Sequence, residues 1–528
     1  MSNTATHEHA HVRHAPGAHS PPPKLSRQAI AGLMGIFVAA MMAGLNNRVG
    51  ALGLADVRGA LGFGLDDASW LSTAYTVGEL IATPFATWFA ITLSVRRFHR
   101  LMVTTCAVIA AFLPFVHDLN LLICLRFLQG ISSGALIPIL MMAALKFLPP
   151  NIRLHGLALY AMTATFAPNL AIWLAGQWTD GLVEWRLIYW QIIPLCLLAA
   201  LLSGWGLPRD KIMAVRFHEA NWLGMAFGVT ALSLIAIALD QGVRLDWFNS
   251  PLITVCLVVG IVFLAIYLLT EWYHHAPFLK LQLLERRNLW LGSSIFVALL
   301  VTLMSGAQLP ANYLGAIQDY RAFQSAPIGL LIALPQLVLG SIVALVLYQK
   351  WADARHVFAL GLSLIALACF SGAQLTAEWN REQFVVTQLL QAVGQPMAIV
   401  SQLFLMTSVV HPSEGPYFSG TINTLRVFGS LIGGAVVGQL LAARGRFHTE
   451  MLLDHAALVG NTLPELDPSL LMATIAQQSL VLSVADAYQV LGVLALVLIP
   501  LVLRLTYIPA PDLGAAQSAP PHSPSTHG

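Results

Sequence analysis

Long apolar runs separated by short polar stretches make up most of this chain of 528 residues. A helix needs about 20 mostly apolar residues to cross a bilayer. Fourteen segments meet this requirement, at residues 30–50, 68–91, 100–116, 119–142, 155–176, 187–206, 221–239, 252–273, 290–311, 326–348, 356–374, 384–409, 416–441 and 487–507. The alternating pattern of membrane barrel strands is absent from the sequence, so the chain is predicted to be an all-α integral membrane protein, an antiparallel bundle of fourteen transmembrane helices.

Composition excludes the other broad classes. Hydrophobic residues make up 57% of the chain and charged residues only 10%, whereas soluble proteins carry about 25% charged residues. The formal net charge of +2 provides no field that would attract nucleic acid. The five cysteines lie in apolar runs without metal-binding or disulfide spacing. We therefore expect no metal and no nucleic-acid partner.

The distribution of basic residues predicts the topology. If the N-terminus is cytoplasmic, 17 of the 27 Lys and Arg residues lie inside and seven outside, as the positive-inside rule requires. Both termini are then cytoplasmic. The Pro- and His-rich tails 1–27 and 509–528 are predicted to be disordered, and the polar stretch 442–486 is predicted to be a soluble loop on the outside.

Ionisable residues within the predicted spans are candidates for function, because they are costly in a membrane. Glu79 is the one carboxylate near the centre of a span, and Arg48, Arg126 and Arg426 also lie within spans. A buried, unpaired Glu79 could take up and release a proton. It could equally form a fixed ion pair with Arg48 or Arg126, and the sequence leaves both readings open.

Amides spread over several spans suggest a shared polar cavity, although each could instead satisfy a neighbouring helix. These amides are Asn46, Asn47, Gln129, Asn169, Gln308, Gln336, Gln388, Gln391 and Gln395. The sequence contains no Walker A, HExxH or GxSxG pattern, and we do not expect an enzyme.

Two segments resemble a known family. Residues 125–130 (Leu-Arg-Phe-Leu-Gln-Gly) are similar to motif B of the major facilitator superfamily. Residues 238–250, the fourteen spans and the polar stretch before the last span resemble the fourteen-helix drug:proton antiporters of the EmrB/QacA type.

The resemblance implies an N-terminal six-helix bundle at 28–206, an inserted helix pair at 207–289 and a C-terminal six-helix bundle at 290–508. It implies that the bundles rock about a midplane site, driven by the proton motive force without a cofactor. It also implies a periplasmic membrane-fusion adaptor and an outer-membrane channel as partners. Arg126 matches the motif B arginine, and Arg426 matches an arginine of the thirteenth span.

The chain departs from the family pattern at several places. The family's acidic residue in the first span is replaced by Asn46, and Arg48 is added nearby. The first motif A retains only Arg96 and Arg97, and motif C is eroded at 171–176. Because a buried arginine favours a counter-charge, Arg48 suits an anionic or phenolic substrate.

These observations predict a proton-coupled exporter of amphipathic drug-like, aromatic or anionic molecules in the cytoplasmic (inner) membrane of a bacterium. We expect Glu79 to carry the proton and Arg126 to shift the pKa of Glu79. The substrate cavity is predicted to be lined by Asn46, Arg48, Gln129, Asn169, Gln308, Gln336, Gln391 and Arg426. The cytoplasmic gate is predicted to consist of Arg96, Arg97, Asp353 and Arg355. Proton-coupled uptake of an organic anion and a non-transporting scaffold or sensor are the alternatives.

Overall fold

A computed structural model describes residues 26–306, 308–460 and 467–511. Every regular element in these ranges is a helix, which confirms the all-α fold class. The predicted disordered tails lie outside the described residues, apart from 26–27 and 509–511.

The helices follow one another with short connections. The first part of the chain contains α1 (Arg27–Leu52), α2 (Leu54–Leu61), α3 (Leu65–Thr92), α4 (Val95–Phe112), α5 (Leu119–Gly134), α6 (Leu136–Phe147), α7 (Pro150–Gly176), α8 (Leu187–Trp190) and α9 (Ile192–Gly206). The middle contains α10 (Arg216–Glu219), α11 (Trp222–Gln241) and α12 (Pro251–Tyr273). The last part contains α13 (Arg287–Thr302), α14 (Gln308–Ile317), α15 (Ala322–Leu347), α16 (Ala354–Gly372), α17 (Val385–Thr407), α18 (Gly415–Gly460) and α19 (Pro468–Leu503).

Short polar residues set several helix starts. The Asp118 carboxylate accepts a hydrogen bond from the backbone N–H of Leu121 at 2.8 Å, at the start of α5. The Asn221 side chain caps α11 in the same way through Gly224 at 2.9 Å. Such caps satisfy backbone N–H groups that have no partner within the helix.

Thirteen helical stretches in the described part of the chain are long and apolar enough to cross a membrane. The predicted span 68–91 corresponds to α3, which is not among them although it has 28 residues. Its average hydropathy is lowered by Glu79 and five threonines. Most of α3 is buried among other helices, so these polar groups face protein rather than lipid.

The prediction of a loop at 442–486 is wrong. Helix α18 continues to Gly460 and α19 begins at Pro468, so most of this stretch is helical. The stretch has few helix-breaking residues, and polar helix formers lower hydropathy without ending a helix. At about 1.5 Å per residue, the 46 residues of α18 far exceed a bilayer core of about 30 Å.

The α18–α19 extension is held together by polar contacts. The Asp486 carboxylate accepts from Arg444 Nε at 2.5 Å and lies 2.7 Å from His448 Nε2. These side chains connect the two helices beyond the predicted end of the membrane span at residue 441.

The helices pack as neighbouring pairs across the bundle. Helix α3 packs along α5, α1 along α9, and α16 along α17, while α7 packs along α15 and joins the first part of the chain to the last. Helices α11 and α12 pack against each other, and α11 also contacts α3 and α18. This arrangement leaves a space between α1, α3 and α7 on one side and α13, α14 and α18 on the other.

Glycines permit the closest of these contacts. A Cβ atom on Gly130 would lie 2.1 Å from the backbone oxygen of Tyr75, and one on Gly78 would lie 2.3 Å from that of Phe127. The backbones of α3 and α5 therefore touch where residues 125–130 cross α3.

Candidate functional site: a charged cavity within the bundle

A cavity of about 540 Å³ lies between the first and last parts of the chain. Its walls come from α1, α3, α7 and α11 on one side and from α13, α14, α17 and α18 on the other. Four ionisable residues line it: Arg48, Glu79, Asp240 and Arg426. Apolar side chains complete the wall, so the cavity can accommodate a molecule with both a polar and an apolar part.

The cavity extends toward one end of the bundle. It reaches Leu52 at the end of α1, Val243 just after α11 and Asn312 on α14. These positions lie at the distal end, which we define as the end opposite the start of α1 and the end of α19. At the other end, which we call the terminal end, Ser419 Oγ of α18 donates to the backbone oxygen of Pro138 on α6 at 2.6 Å.

Glu79 lies in the cavity wall with only 6% of its surface exposed. Its Oε2 accepts a hydrogen bond of 2.6 Å from Asn47 Nδ2. Among the described residues, no arginine or lysine forms an ion pair with it within 4.0 Å. The fixed pair with Arg48 or Arg126, one of the two readings of the sequence, is not present in this conformation.

The two arginines of the cavity connect opposite walls. Arg48 Nη2 donates to Gln308 Oε1 at 3.1 Å, and Arg426 Nη1 donates to Thr163 Oγ1 at 3.0 Å. Neither guanidinium has a carboxylate partner in the described part of the chain, and Arg426 Nε is buried without any hydrogen-bond partner. Buried cations are normally paired with an anion, and the two carboxylates of the cavity wall, Glu79 and Asp240, do not form an ion pair with either guanidinium.

Arg126 lies outside the cavity lining. It is 3% exposed, does not line the cavity, and donates to Gln129 Oε1 at 2.7 Å. Its guanidinium also lies over the rings of Tyr75 at 4.5 Å and Tyr189 at 5.7 Å. Arg126 therefore makes no direct contact with Glu79, although it was predicted to shift the pKa of that residue.

Asn46 belongs to the same buried cluster as Arg126. Its Nδ2 donates to the Tyr75 hydroxyl at 3.2 Å, and that hydroxyl donates to Ser133 Oγ at 2.7 Å. Asn46 and Gln129 were both predicted to line the substrate cavity, and neither does in this conformation. We call Asn46, Tyr75, Arg126, Gln129 and Ser133 the Arg126 network.

The remaining predicted cavity amides divide into two groups. Asn169 and Gln308 line the cavity. Gln336 instead accepts from Thr165 at 3.3 Å and donates to the backbone oxygen of Ala392 at 3.2 Å. Gln391 donates to Ser305 Oγ at 2.9 Å and is likewise outside the cavity lining. For these two residues the structure shows contacts between helices.

Asp240 is the cavity residue that sequence reasoning missed. Its Oδ2 accepts from Thr73 Oγ1 at 2.5 Å, which joins α11 to α3. The predicted span ended at residue 239, which placed Asp240 just outside the membrane. A signal was available, because Asp240 lies within 238–250, one of the segments that carried the family resemblance.

The predicted gate residues do not meet across the bundle. Arg96 Nη1 donates to the backbone oxygen of Leu207 at 3.1 Å, and Arg97 is exposed. Asp353 pairs with Arg355 at 2.7 Å and caps α16. None of these contacts links the first part of the chain to the last, so a gate formed by these four residues stays a prediction for another conformation.

In the described ranges, no group of three or more His, Cys, Asp or Glu side chains is placed to hold a metal ion.

Comparison with known proteins finds similarity to the same family that the sequence motifs resemble. The family description "Major Facilitator Superfamily" matches residues 36–293. The chain is 24% identical to the fatty acid resistance protein FarB of Neisseria gonorrhoeae, over 91% of this chain and 97% of that protein. It is 24% identical to the multidrug export protein EmrB of Escherichia coli K12, over 81% and 83%.

A solved structure supports the fold. The human organic anion transporter MFSD10 superposes with a TM-score of 0.54 at 12% identity, covering 89% of this chain and all of that one. Together, these similarities confirm the resemblance read from the sequence.

Proposed function

Because this chain is a transporter of the major facilitator superfamily related to the EmrB multidrug exporters, we propose that it exports amphipathic organic anions in exchange for protons. The substrate would bind in the cavity between the two halves, and rocking of the halves would expose it to either side in turn. The proton motive force would drive the cycle without a cofactor.

One observation carries the proposal. The buried Arg426 and the partly buried Arg48 face the cavity, and no carboxylate of the described residues lies within ion-pair distance of either guanidinium. A carboxylate or phenolate on the substrate would supply the missing counter-charge. Leu300, Met304 and Leu431 offer an apolar surface for the rest of the molecule. The name of FarB, a fatty acid resistance protein, is in keeping with such a substrate.

Glu79 is the proposed proton carrier. It shares the cavity with both arginines, and its hydrogen bond is to a neutral amide, so no ion pair must be broken when it gains a proton. When Glu79 is charged it competes with an anionic substrate for the arginines. Protonation removes this competition and would strengthen anion binding, a linkage that by itself favours the uptake candidate considered below. Export in exchange for protons requires that the anion leave the cavity before Glu79 is protonated from the outside. Arg126 contributes at most indirectly, through the packing of α5 against α3.

The membrane side is assigned from the basic residues. With cytoplasmic termini, the terminal end faces the cytoplasm and the cavity extends toward the outside, as expected for an exporter that has closed its inner side. We place the protein in the inner membrane of a bacterium, in keeping with its similarity to bacterial EmrB proteins.

A periplasmic adaptor and an outer-membrane channel remain part of the proposal. The extended α18–α19 hairpin would project on the outer side, and it exposes Phe447, Met451, Leu470 and Met472. Site-specific crosslinking from Met451 and Met472 should trap the adaptor in cells. Capture from exposed Leu101 on α4 with equal yield would contradict docking through the hairpin.

The test of transport uses inside-out vesicles with an acidic interior. Fatty acids, phenolic acids, lipophilic cations and neutral drugs are added in turn while proton release from the vesicles is recorded. We expect anionic amphipaths to trigger proton release in the wild type. Glu79→Gln should abolish the release while labelled substrate still binds.

Arg287→Gln is the matched control, since Arg287 is exposed at the start of α13 and away from the cavity. It should behave as the wild type does. Equal proton release by wild type and Glu79→Gln would show that Glu79 does not carry the proton. Release triggered only by cations would contradict the proposed substrate class.

Uptake of an organic anion is the second candidate function. It uses the same cavity and differs in direction, and the same cavity arginines favour it. In right-side-out vesicles with an acidic exterior, accumulation of labelled anion would favour uptake, whereas its expulsion from preloaded vesicles would favour export.

A further inference from the structure

A second cavity, of about 500 Å³, lies at the terminal end of the bundle. It is separate from the cavity lined by Arg48, Glu79, Asp240 and Arg426, which we call the transport cavity. Its lining includes Arg96, Arg97, Arg100 and Arg209 together with Ser94. We call these five residues the arginine pocket. Three of the arginines come from the first turns of α4, and Arg209 follows α9.

The charge of the arginine pocket is not neutralised by the protein. In the part of the chain that the structure describes, none of its four arginines forms an ion pair, and Arg96 is repelled by both Arg209 and Arg100. Asp210, the acid next to Arg209 in sequence, forms no ion pair either. Arg97, Arg100 and Arg209 are exposed, so water and salt screen part of this repulsion, and an anion bound among the guanidinium groups would remove the rest.

Ser94 provides an independent indication of a ligand. It is only 2% exposed, and its Oγ is buried with no hydrogen-bond partner. It occupies the N-cap position of α4, yet its side chain does not bond to the first turn of that helix. Ser94 lines the same pocket as the arginines at the N-terminus of α4, a combination that suits phosphate oxygens.

The surroundings favour a lipid as the source of the phosphate. From the pocket toward the distal end, α4 exposes Leu101, Val108 and Phe112, each between 52% and 61% accessible. Their spacing of seven and four residues places them on one face of the helix. An acyl chain could lie along this face while its headgroup occupies the pocket.

We propose that the arginine pocket binds a phosphate group, supplied by the headgroup of an anionic phospholipid of the inner leaflet. The occupied pocket would fix α4 to the connection after α9 at the cytoplasmic surface. Basic pockets between membrane helices bind anionic headgroups for the same electrostatic reason. This inference does not depend on which substrate is transported.

Native mass spectrometry of the delipidated protein tests the proposal directly. Phosphatidylglycerol, phosphatidylcholine and inorganic phosphate are titrated separately against wild type and the double variant Arg100→Gln/Arg209→Gln. We expect phosphatidylglycerol to bind more tightly than phosphatidylcholine, and each arginine removed to weaken it by roughly fivefold. Ser94→Ala should weaken it by a few-fold at most.

The control variant Arg287→Gln/Arg504→Gln removes two exposed arginines from the same end of the bundle, and it should bind phosphatidylglycerol as the wild type does. If inorganic phosphate binds as tightly as the lipid and displaces it, the phosphate chemistry holds and its source is soluble. If the pocket variant keeps wild-type affinity for both probes, or the control loses as much, the proposal is wrong.

Discussion

The Arg126 network and the transport cavity both bury arginines within the membrane, but they satisfy them differently. Arg126 has a glutamine beside it and two aromatic rings around it, all from the first part of the chain. Arg48 and Arg426 each reach across to the opposite half for a single neutral partner. A charge held by its own half stays fixed when the halves move, whereas a charge that bridges them must change partners.

This difference separates a structural role from a functional one. The contacts of Arg126 can persist through rocking of the halves, because every partner moves with it. In the proposed transport cycle, separation of the halves would break the contacts of Arg48 and Arg426, and a bound anion would replace them. Five substitutions test this distinction, beginning with the one expected to have the largest effect.

The Arg126 network should tolerate no added volume. In Gly130→Val, the new Cβ would lie 2.1 Å from the Tyr75 backbone oxygen, and α3 and α5 would be forced apart. We expect a destabilisation of about 3 kcal/mol or more, with little folded protein recovered. Gly434→Ala is the control, since Gly434 lines the transport cavity and an added Cβ meets no atom within 4 Å. A thermal midpoint for Gly130→Val equal to that of Gly434→Ala would refute the close packing.

Neutralising the two kinds of arginine should separate stability from binding. Arg126→Leu leaves the buried Gln129 Oε1 without its charged donor and removes the cation–π contacts with Tyr75 and Tyr189. The free energy of unfolding should therefore fall by about 2 kcal/mol. Arg48→Gln should change stability by less than about 1 kcal/mol but weaken binding of an anionic substrate by roughly tenfold. Fluorescence-monitored unfolding and equilibrium binding measure the two effects. Equal loss of anion binding in both variants would remove the distinction.

The negative charge of Asp240 should weaken the binding of anionic substrates to the cavity arginines. Replacing it by Asn keeps an acceptor for Thr73 and removes one negative charge from the cavity wall. We expect anionic substrates to bind about threefold to tenfold more tightly and lipophilic cations to bind less tightly. Asp66→Asn is the control, because Asp66 pairs with Arg244 and does not line the cavity. Weaker anion binding in Asp240→Asn would reverse the assigned role.

The Asp353–Arg355 pair should have the smallest effect. Partial burial raises the pKa of the Asp353 carboxyl, but hydrogen bonds from Arg355 outweigh it and hold this pKa below its ordinary value of 3.8. The pair therefore stabilises the fold at pH values above 3.8 and stops doing so as the pH falls through the lowered pKa.

In Asp353→Asn, the unfolding free energy should drop by about 1 kcal/mol or less near pH 7. The difference from wild type should vanish in strong acid, as a pair of thermal unfolding series against pH would show. A large loss of transport without loss of stability would instead support the predicted gate role of Asp353.

The cavity itself could be anticipated only in part. Arg48, Glu79 and Arg426 were found because an ionisable residue in an apolar run is conspicuous in sequence. Asn46 and Gln129 were misplaced because an amide on a helix has two sides, and the sequence does not say which side faces the cavity. Asp240 was missed because it lies one residue beyond an apolar run, where a carboxylate appears solvated.

The membrane class, the helical architecture and the family resemblance follow from the sequence alone, because hydropathy and helix length depend only on local composition. Which charges share a cavity was decided by tertiary structure. Arg48 and Gln308 are 260 residues apart, and Thr163 and Arg426 are 263 apart. Their contact depends on how helices from distant parts of the chain pack together, and no local pattern in the sequence encodes that packing.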